Sequence, residues 1–149
     1  MLTIIDNLDN FYPKVLPADS AEYGVLYNAA KKTAHLDGMS LEIGLRRGGG
    51  LESLVEGYLA GNPTRPRLFV SVDPYGNIDY AEGNSIVRHD YTNVMKITAL
   101  SPIYKYIEGK IASGASIDYQ FHCLEDTEFF ARFANGVPCL LYTSPSPRD

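Results

Sequence analysis

Two short apolar runs that each end in a carboxylate carry the most chemistry in this chain. Residues 41–50 read Leu-Glu-Ile-Gly-Leu-Arg-Arg-Gly-Gly-Gly, and residues 68–76 read Leu-Phe-Val-Ser-Val-Asp-Pro-Tyr-Gly. Apolar runs of this length read as strands of a buried parallel sheet. Ligands of an open α/β sheet sit outside the carboxyl ends of its strands, so Glu42 and Asp73 are expected to project into one crevice. Gly44 and the run Gly48, Gly49, Gly50 allow a sharp turn and close approach to a ligand, because glycine has no Cβ.

Three chemistries compete for such a turn, and spacing separates them. A triphosphate-binding loop needs a Lys and a Ser or Thr after its last glycine, whereas Gly50 is followed by Leu51 and Glu52. A dinucleotide fingerprint counted from Gly44 places Arg46 where its second glycine belongs, and that side chain would obstruct a pyrophosphate. The remaining pattern, Glu42-x-Gly44-x-x-x-Gly48, sets a carboxylate two residues before the first glycine, where it repels phosphate and suits a ligand ammonium. Alone, Glu42 reads equally as a solvated strand-end acid, and 73–76 as an ordinary turn. Together, at consecutive strand ends around a glycine turn, they favour a binding site.

The elements that would position these residues follow from periodicity. Asp19 or Ser20 is expected to cap a helix over 21–35 with Glu22 in its first turn, and Tyr23, Leu26, Ala30 and Ala34 on a face that covers the sheet. The first strand is expected at 39–43, a helix at 51–59 ending near Gly61-Asn62-Pro63, and the second strand at 68–72. Residues 94–111 read as helix with a break at Ser101-Pro102 and a stop near Gly114. Residues 117–123 read as a third strand, and a helix starts at Asp126 or Thr127 and runs through Phe133. Strands alternating with helices predict a parallel sheet with crossover connections.

The 149 residues carry a formal charge of -5, which argues against a general polyanion-binding surface and so against nucleic acid as a general partner. With no long apolar run and no basic-then-apolar start, the expectation is a cytoplasmic protein without a membrane span. Cys139 and Cys123 are the only cysteines, too few for a disulfide framework. His35, His89 and His122 lack ligand-pair spacing, so no metal site is expected. Arg65, Arg67 and Arg88 could meet an acidic substrate, though scattered arginines are mostly solvated.

On the motifs at 42–49 and 70–75 the chain resembles class I S-adenosylmethionine-dependent methyltransferases, in the branch whose first motif reads Glu-Ile-Gly-x-x-x-Gly-Gly and whose second strand ends Val-Asp-Pro-aromatic. The resemblance covers about 39–137. It implies a Rossmann-like three-layer αβα fold, of which the N-terminal part with strands one to three of a mainly parallel sheet is expected here. It also implies S-adenosyl-L-methionine as cofactor and a small-molecule methyl acceptor attacked through oxygen or nitrogen. Glu42, Gly44, Gly48 and Gly49 would border the methionine moiety, Asp73 would accept hydrogen bonds from both ribose hydroxyls, and Pro74 and Tyr75 would flank the ribose and adenine. Where the family commonly has Gly-Asp-Ala/Ser-x-Glu-Phe, this chain has 124–129 as Leu-Glu-Asp-Thr-Glu-Phe, so Glu125 or Asp126 is the candidate acceptor for the adenine amino group. Arg46, Arg47 and the insertion-like 62–67 depart from the family pattern.

Residues 139–149 resemble the translation of a transposase-type sequencing adapter. The domain reading is therefore an extension and helix over 1–38, an incomplete cofactor-binding domain over 39–138, and an artefactual tail expected to lack packed contacts. The family's acid-bearing fourth strand is then missing, with one strand edge unpaired, and no catalytic residue is assigned. Two alternatives stand beside this reading: an NAD(P)-dependent oxidoreductase fragment, which would also use Asp73 but gives Glu42 no partner, and a nucleotide-binding or interaction module without chemistry. A continuation encoding a fourth strand with an acid and a histidine would favour the enzyme; an early stop would favour the module.

Overall fold

The apolar runs fold as the strands expected of them. The computed structural model describes residues 9–76, 80–82, 85–87, 93–133 and 139–143. In chain order its elements are α1 (Tyr23–Thr33), β1 (Met39–Ile43), α2 (Gly49–Ala60), β2 (Arg67–Val72), β3 (Tyr80–Glu82), β4 (Ser85–Val87), α3 (Asn93–Ala112), β5 (Ile117–His122), α4 (Asp126–Phe133) and β6 (Cys139–Thr143). The main sheet has the order β5-β2-β1-β6, with every pair parallel. A parallel sheet flanked by helices is compatible with a Rossmann-like fold. No helix among the described residues is long and apolar enough to cross a membrane.

Strand alternation sorts the side chains onto two faces. Met39, Leu41, Ile43, Val70 and Val72 line one face, and α4 covers it with Phe129. On the other face Phe69 joins Leu51, Leu54, Val55 and Tyr58 of α2 and Ile103, Tyr106 and Ile107 of α3. Ser40 and Glu42 of β1 and Ser71 of β2 alternate with the first set, so three polar side chains lie buried beneath the α2 and α3 layer.

Four expectations change. Residues 139–143 do not stay off the sheet: β6 pairs with β1. The unpaired edge of β1 is a template for any β-prone segment, and Leu140-Leu141-Tyr142-Thr143 is one. The helix over 94–111 does not break at Pro102, and α3 runs straight through it. Pro102 and Thr98 are both exposed, so the carbonyl that loses its helical partner faces water. Nor does Asp19 cap α1, whose first residue follows Glu22 without a side-chain cap; Asp19 instead accepts a hydrogen bond from the Tyr23 hydroxyl at 2.7 Å. Finally, α1 lies chiefly against α2 rather than on the sheet. Gly57 and Gly61 permit this, since a Cβ on either would strike the α1 backbone. The antiparallel β3–β4 pair lies outside the elements expected from periodicity, since Tyr80-Ala81-Glu82 carries little β propensity of its own.

Two buried charges fix the layers to each other. The Arg67 guanidinium donates to the Thr33 and Leu36 carbonyls at 2.9 and 3.0 Å and to the Ser40 hydroxyl at 3.1 Å, satisfying the end of α1 from within. It lies 4.8 Å from the centre of the Tyr58 ring. At the other end, the Glu52 carboxylate accepts backbone N–H groups of Lys14, Val15 and Leu16, the shortest at 2.8 Å. Three consecutive amides around one carboxylate make an anion nest, which clamps the leader segment onto α2. Glu52→Ala leaves those amides without an acceptor and is expected to cost ~2–4 kcal/mol of stability. Chemical denaturation with hydrogen exchange at Lys14, Val15 and Leu16 checks this: unchanged protection would show that the clamp does not hold the leader.

Candidate functional site

At the carboxyl edge of the sheet the chain leaves β1 through a turn at 44–48 and enters α2. Gly48 caps the helix with φ 96°, a left-handed conformation that favours glycine. Arg46, in the middle of the turn, also has positive φ, at 51°. A bulky residue holds that conformation only where its surroundings enforce it, and here three groups do. Its N–H donates to Asp73 Oδ2 at 3.0 Å, its carbonyl accepts the Tyr75 hydroxyl, and its guanidinium Nε meets Asp19 at 3.0 Å. The arginine that breaks the dinucleotide pattern is thus turned towards the leader segment.

Asp73 stands one residue beyond β2 and is 1% exposed. Its second oxygen, Oδ1, accepts the Tyr75 N–H at 3.0 Å, and its own N–H donates to the His122 carbonyl at 3.1 Å. Asp73 therefore joins the turns after β1 and β2 through its carboxylate and reaches the end of β5 through its backbone N–H. Tyr75, with φ 42°, is turned inward and fully buried beside Phe121, and burial pushes its hydroxyl far above the ordinary tyrosine range. Pro74 offers its carbonyl to the Cys123 thiol at 3.7 Å.

Glu42 lies deeper than Asp73, between β1 and the first turn of α2, and is 1% exposed. Neither of its carboxyl oxygens has a hydrogen-bond partner among the described residues. Burial is the main cause that raises its pKa well above the carboxylate range, and the Asp73 carboxylate adds to it, while the Ser71 hydroxyl pulls the other way. Ser71 Oγ and Tyr119 Oη are likewise buried without a hydrogen bond of good geometry, although Ser71 lies close enough to both Glu42 and Tyr119 to interact with them. Ser71 pairs with Glu42 in the parallel register, and Tyr119 follows on the same face of β5, so the unpartnered groups form one cluster across three strands. The sequence signal for it was Ser71 itself, a polar residue interrupting the apolar run of β2.

The site residues fall into three groups. Glu42, Gly44, Gly48, Gly49, Asp73, Pro74 and Tyr75 gather at the ends of β1 and β2, with Gly49 facing the Pro17 carbonyl of the leader and the Tyr23 hydroxyl of α1. Glu125 and Asp126 lie half-buried beyond β5 where α4 begins, and Asp126 Oδ1 accepts the Thr127 N–H at 2.9 Å. The arginines considered for a substrate are elsewhere: Arg67 is sealed inside, Arg65 pairs with Asp37, and Arg88 lies outside the described residues. A cleft of about 420 Å³ lined by Tyr58, Asn62, Pro63, Arg65 and Ser116 opens beside the start of β2, away from the carboxyl edge where parallel sheets bind ligands. Among the described residues no group of three or more His, Cys, Asp or Glu is placed to hold a metal.

Gly50 is the residue that lets α2 sit over Glu42, because a Cβ there would overlap Glu42 Oε2. Gly50→Ala is expected to cost ~1–3 kcal/mol, the usual penalty of overpacking a filled interior. In a Glu42→Ala background the same change should cost much less, since the overlapping atoms are gone. A double-mutant cycle by thermal unfolding reads the coupling, and additive effects would show that the two residues do not touch.

Comparison with family models, with curated proteins and with solved structures finds no match to this chain.

Proposed function

We propose that the chain is the cofactor-binding part of a cytoplasmic S-adenosylmethionine-dependent methyltransferase acting on an oxygen or nitrogen of a small molecule. The observation that carries this is Glu42, a buried carboxylate without a partner beside a glycine turn at the carboxyl edge of a parallel sheet. A buried charge is tolerated when it is paired, and a cation is what this one lacks. The ammonium of a methionine moiety supplies one, whereas a pyrophosphate would add negative charge beside Glu42 and Asp73.

The other residues fit the same ligand. Asp73, which holds the Arg46 and Tyr75 amides at the end of β2, is the acceptor for the ribose hydroxyls. Gly48 and Gly49 let the turn pack closely under Leu16, Ile103, the Pro17 carbonyl and Tyr23, and Glu125 or Asp126 is the acceptor for an adenine amino group at the end of β5. Bound, the cofactor supplies an electrophilic methyl group on sulfur. The protein's part is to orient the acceptor for in-line attack and to keep water out. The leader serves that second purpose: Leu16 is buried, and it and the Pro17 carbonyl press on Gly48 and Gly49.

Calorimetry with S-adenosylhomocysteine and with NAD tests the reading. The homocysteine ligand is expected to bind and NAD to bind weakly or not at all; tighter binding of NAD would move the chain to the oxidoreductases. Asp73→Ala should weaken S-adenosylhomocysteine by ~1–3 kcal/mol, the cost of leaving partners of a charged acceptor unpaired. Unchanged affinity would remove Asp73 from the site.

A further inference from the structure

Glu42 meets a different group from several of the elements around it, and β6 runs beside it with Thr143 in register. β2 presents the Ser71 hydroxyl and, just beyond its end, the Asp73 carboxylate; β5 presents the Tyr119 hydroxyl. The leader contributes Asp19 and the turn after β2 contributes Tyr75, both close enough to interact electrostatically. The first turn of α2 brings only the Gly50 backbone. The guanidinium of the same turn, Arg46, is engaged by Asp19. Among the described residues Glu42 is faced by hydroxyls and other acids; Oε1, Oε2, Ser71 Oγ and Tyr119 Oη are all buried without a hydrogen bond of good geometry, and the Ser71 hydroxyl beside Glu42 only partly offsets the cost of its burial. An ionised carboxylate in such a place neutralises rather than remain charged.

We propose that Glu42 is a neutral carboxylic acid in the free protein and that a ligand ammonium displaces its proton, so that Glu42, Ser71 and Tyr119 form a proton-exchanging seat for a cationic ligand. The exchange rests on the methyltransferase reading for the identity of that ligand; the protonated free state does not. In the exchange the Glu42 O–H bond breaks, its proton leaves to solvent, and the ligand enters with its ammonium intact. The Ser71 and Tyr119 hydroxyls are the donors available to the charge so formed. A ligand without an ammonium has nothing to exchange and releases no proton.

The sign of the pH dependence follows. Below the raised pKa of Glu42 the proton must be removed before the cation binds, so affinity rises with pH, up to tenfold per unit, and levels off above it. Stability runs the other way. The group's pKa is higher in the folded than in the unfolded chain, so its contribution is fully present below the ordinary carboxylate value and is lost as pH rises towards the folded value.

Infrared spectroscopy of the free full chain at neutral pH is expected to show the carbonyl stretch of a buried carboxylic acid that Glu42→Gln removes. Titration with S-adenosylhomocysteine in two buffers of different ionisation enthalpy should report close to one proton released per ligand. Methylthioadenosine, which lacks the ammonium, should release none, and so should either ligand with Glu42→Gln. Because glutamine has the shape of the neutral acid, cooperative thermal unfolding of that variant confirms that it folds. If the acid band is missing from the free protein, or if proton release persists in Glu42→Gln, the proposal is overturned even where the ligand binds. If the band is present and S-adenosylhomocysteine fails to bind, the exchange and the methyltransferase reading fall together, while protonated Glu42 stands.

Discussion

The carboxylate of Asp73 is the constraint on which the carboxyl edge of the sheet depends. It holds the backbone amides of Arg46 and Tyr75, and both residues have positive φ. Each conformation is unfavourable for a side chain of that size and persists because its surroundings enforce it. Fixing Arg46 fixes where the turn delivers Gly48 and therefore where α2 starts. Fixing Tyr75 directs its ring inward against Phe121, so the turn after β2 is anchored to β5. From Arg46 the connection continues outward through Asp19 to Tyr23, which ties the leader and α1 to the same point.

The two faces of the sheet are built on different physics. The α4 face is apolar, and Phe129 closes it by burial, a contribution of ~1.5–3 kcal/mol for a side chain of that class. The α2 face mixes apolar packing with buried polar groups at both ends of the strands. At the amino end Arg67 is matched by two carbonyls, a hydroxyl and an aromatic ring. At the carboxyl end Glu42, Ser71 and Tyr119 have no such match. Polar groups buried without partners destabilise, so the fold concentrates its unfavourable interactions where a ligand could relieve them.

Much of this was legible from residue order. Strands β1, β2 and β5 and helix α4 follow from apolar runs and capping residues, because a buried parallel strand and an amphipathic helix leave distinct periods. The placement of Glu42 and Asp73 at neighbouring strand ends followed from the same periods. What periodicity does not carry is tertiary. Pro102 marks a break in any local reading, yet its carbonyl partner faces water and the helix continues. Tyr75 reads as a turn residue beside a ligand, and only the packing around Phe121 shows it turned inward. Glu52 reads as an ordinary first-turn acid of a helix, and nothing near it in sequence announces that residues 14–16 will close on it.

The contrast between Glu42 and Glu52 separates structural from functional burial. Ten residues apart, both are buried to 1 or 2% exposure, Glu42 beneath α2 and Glu52 in its first turn. Glu52 receives three backbone amides, so its charge is met by the protein itself and its role ends with holding the leader. Glu42 receives none among the described residues, although the hydroxyls of Ser71 on β2 and Tyr119 on β5 stand nearby. If burial alone had placed both acids, an apolar residue at 42 would serve the fold better, since it would bury no polar atom without a well-formed hydrogen bond. A buried carboxyl group that finds no well-formed hydrogen bond among the described residues is a cost to the fold, and the proposed cationic ligand, entering beside the glycine turn and Asp73, would relieve it.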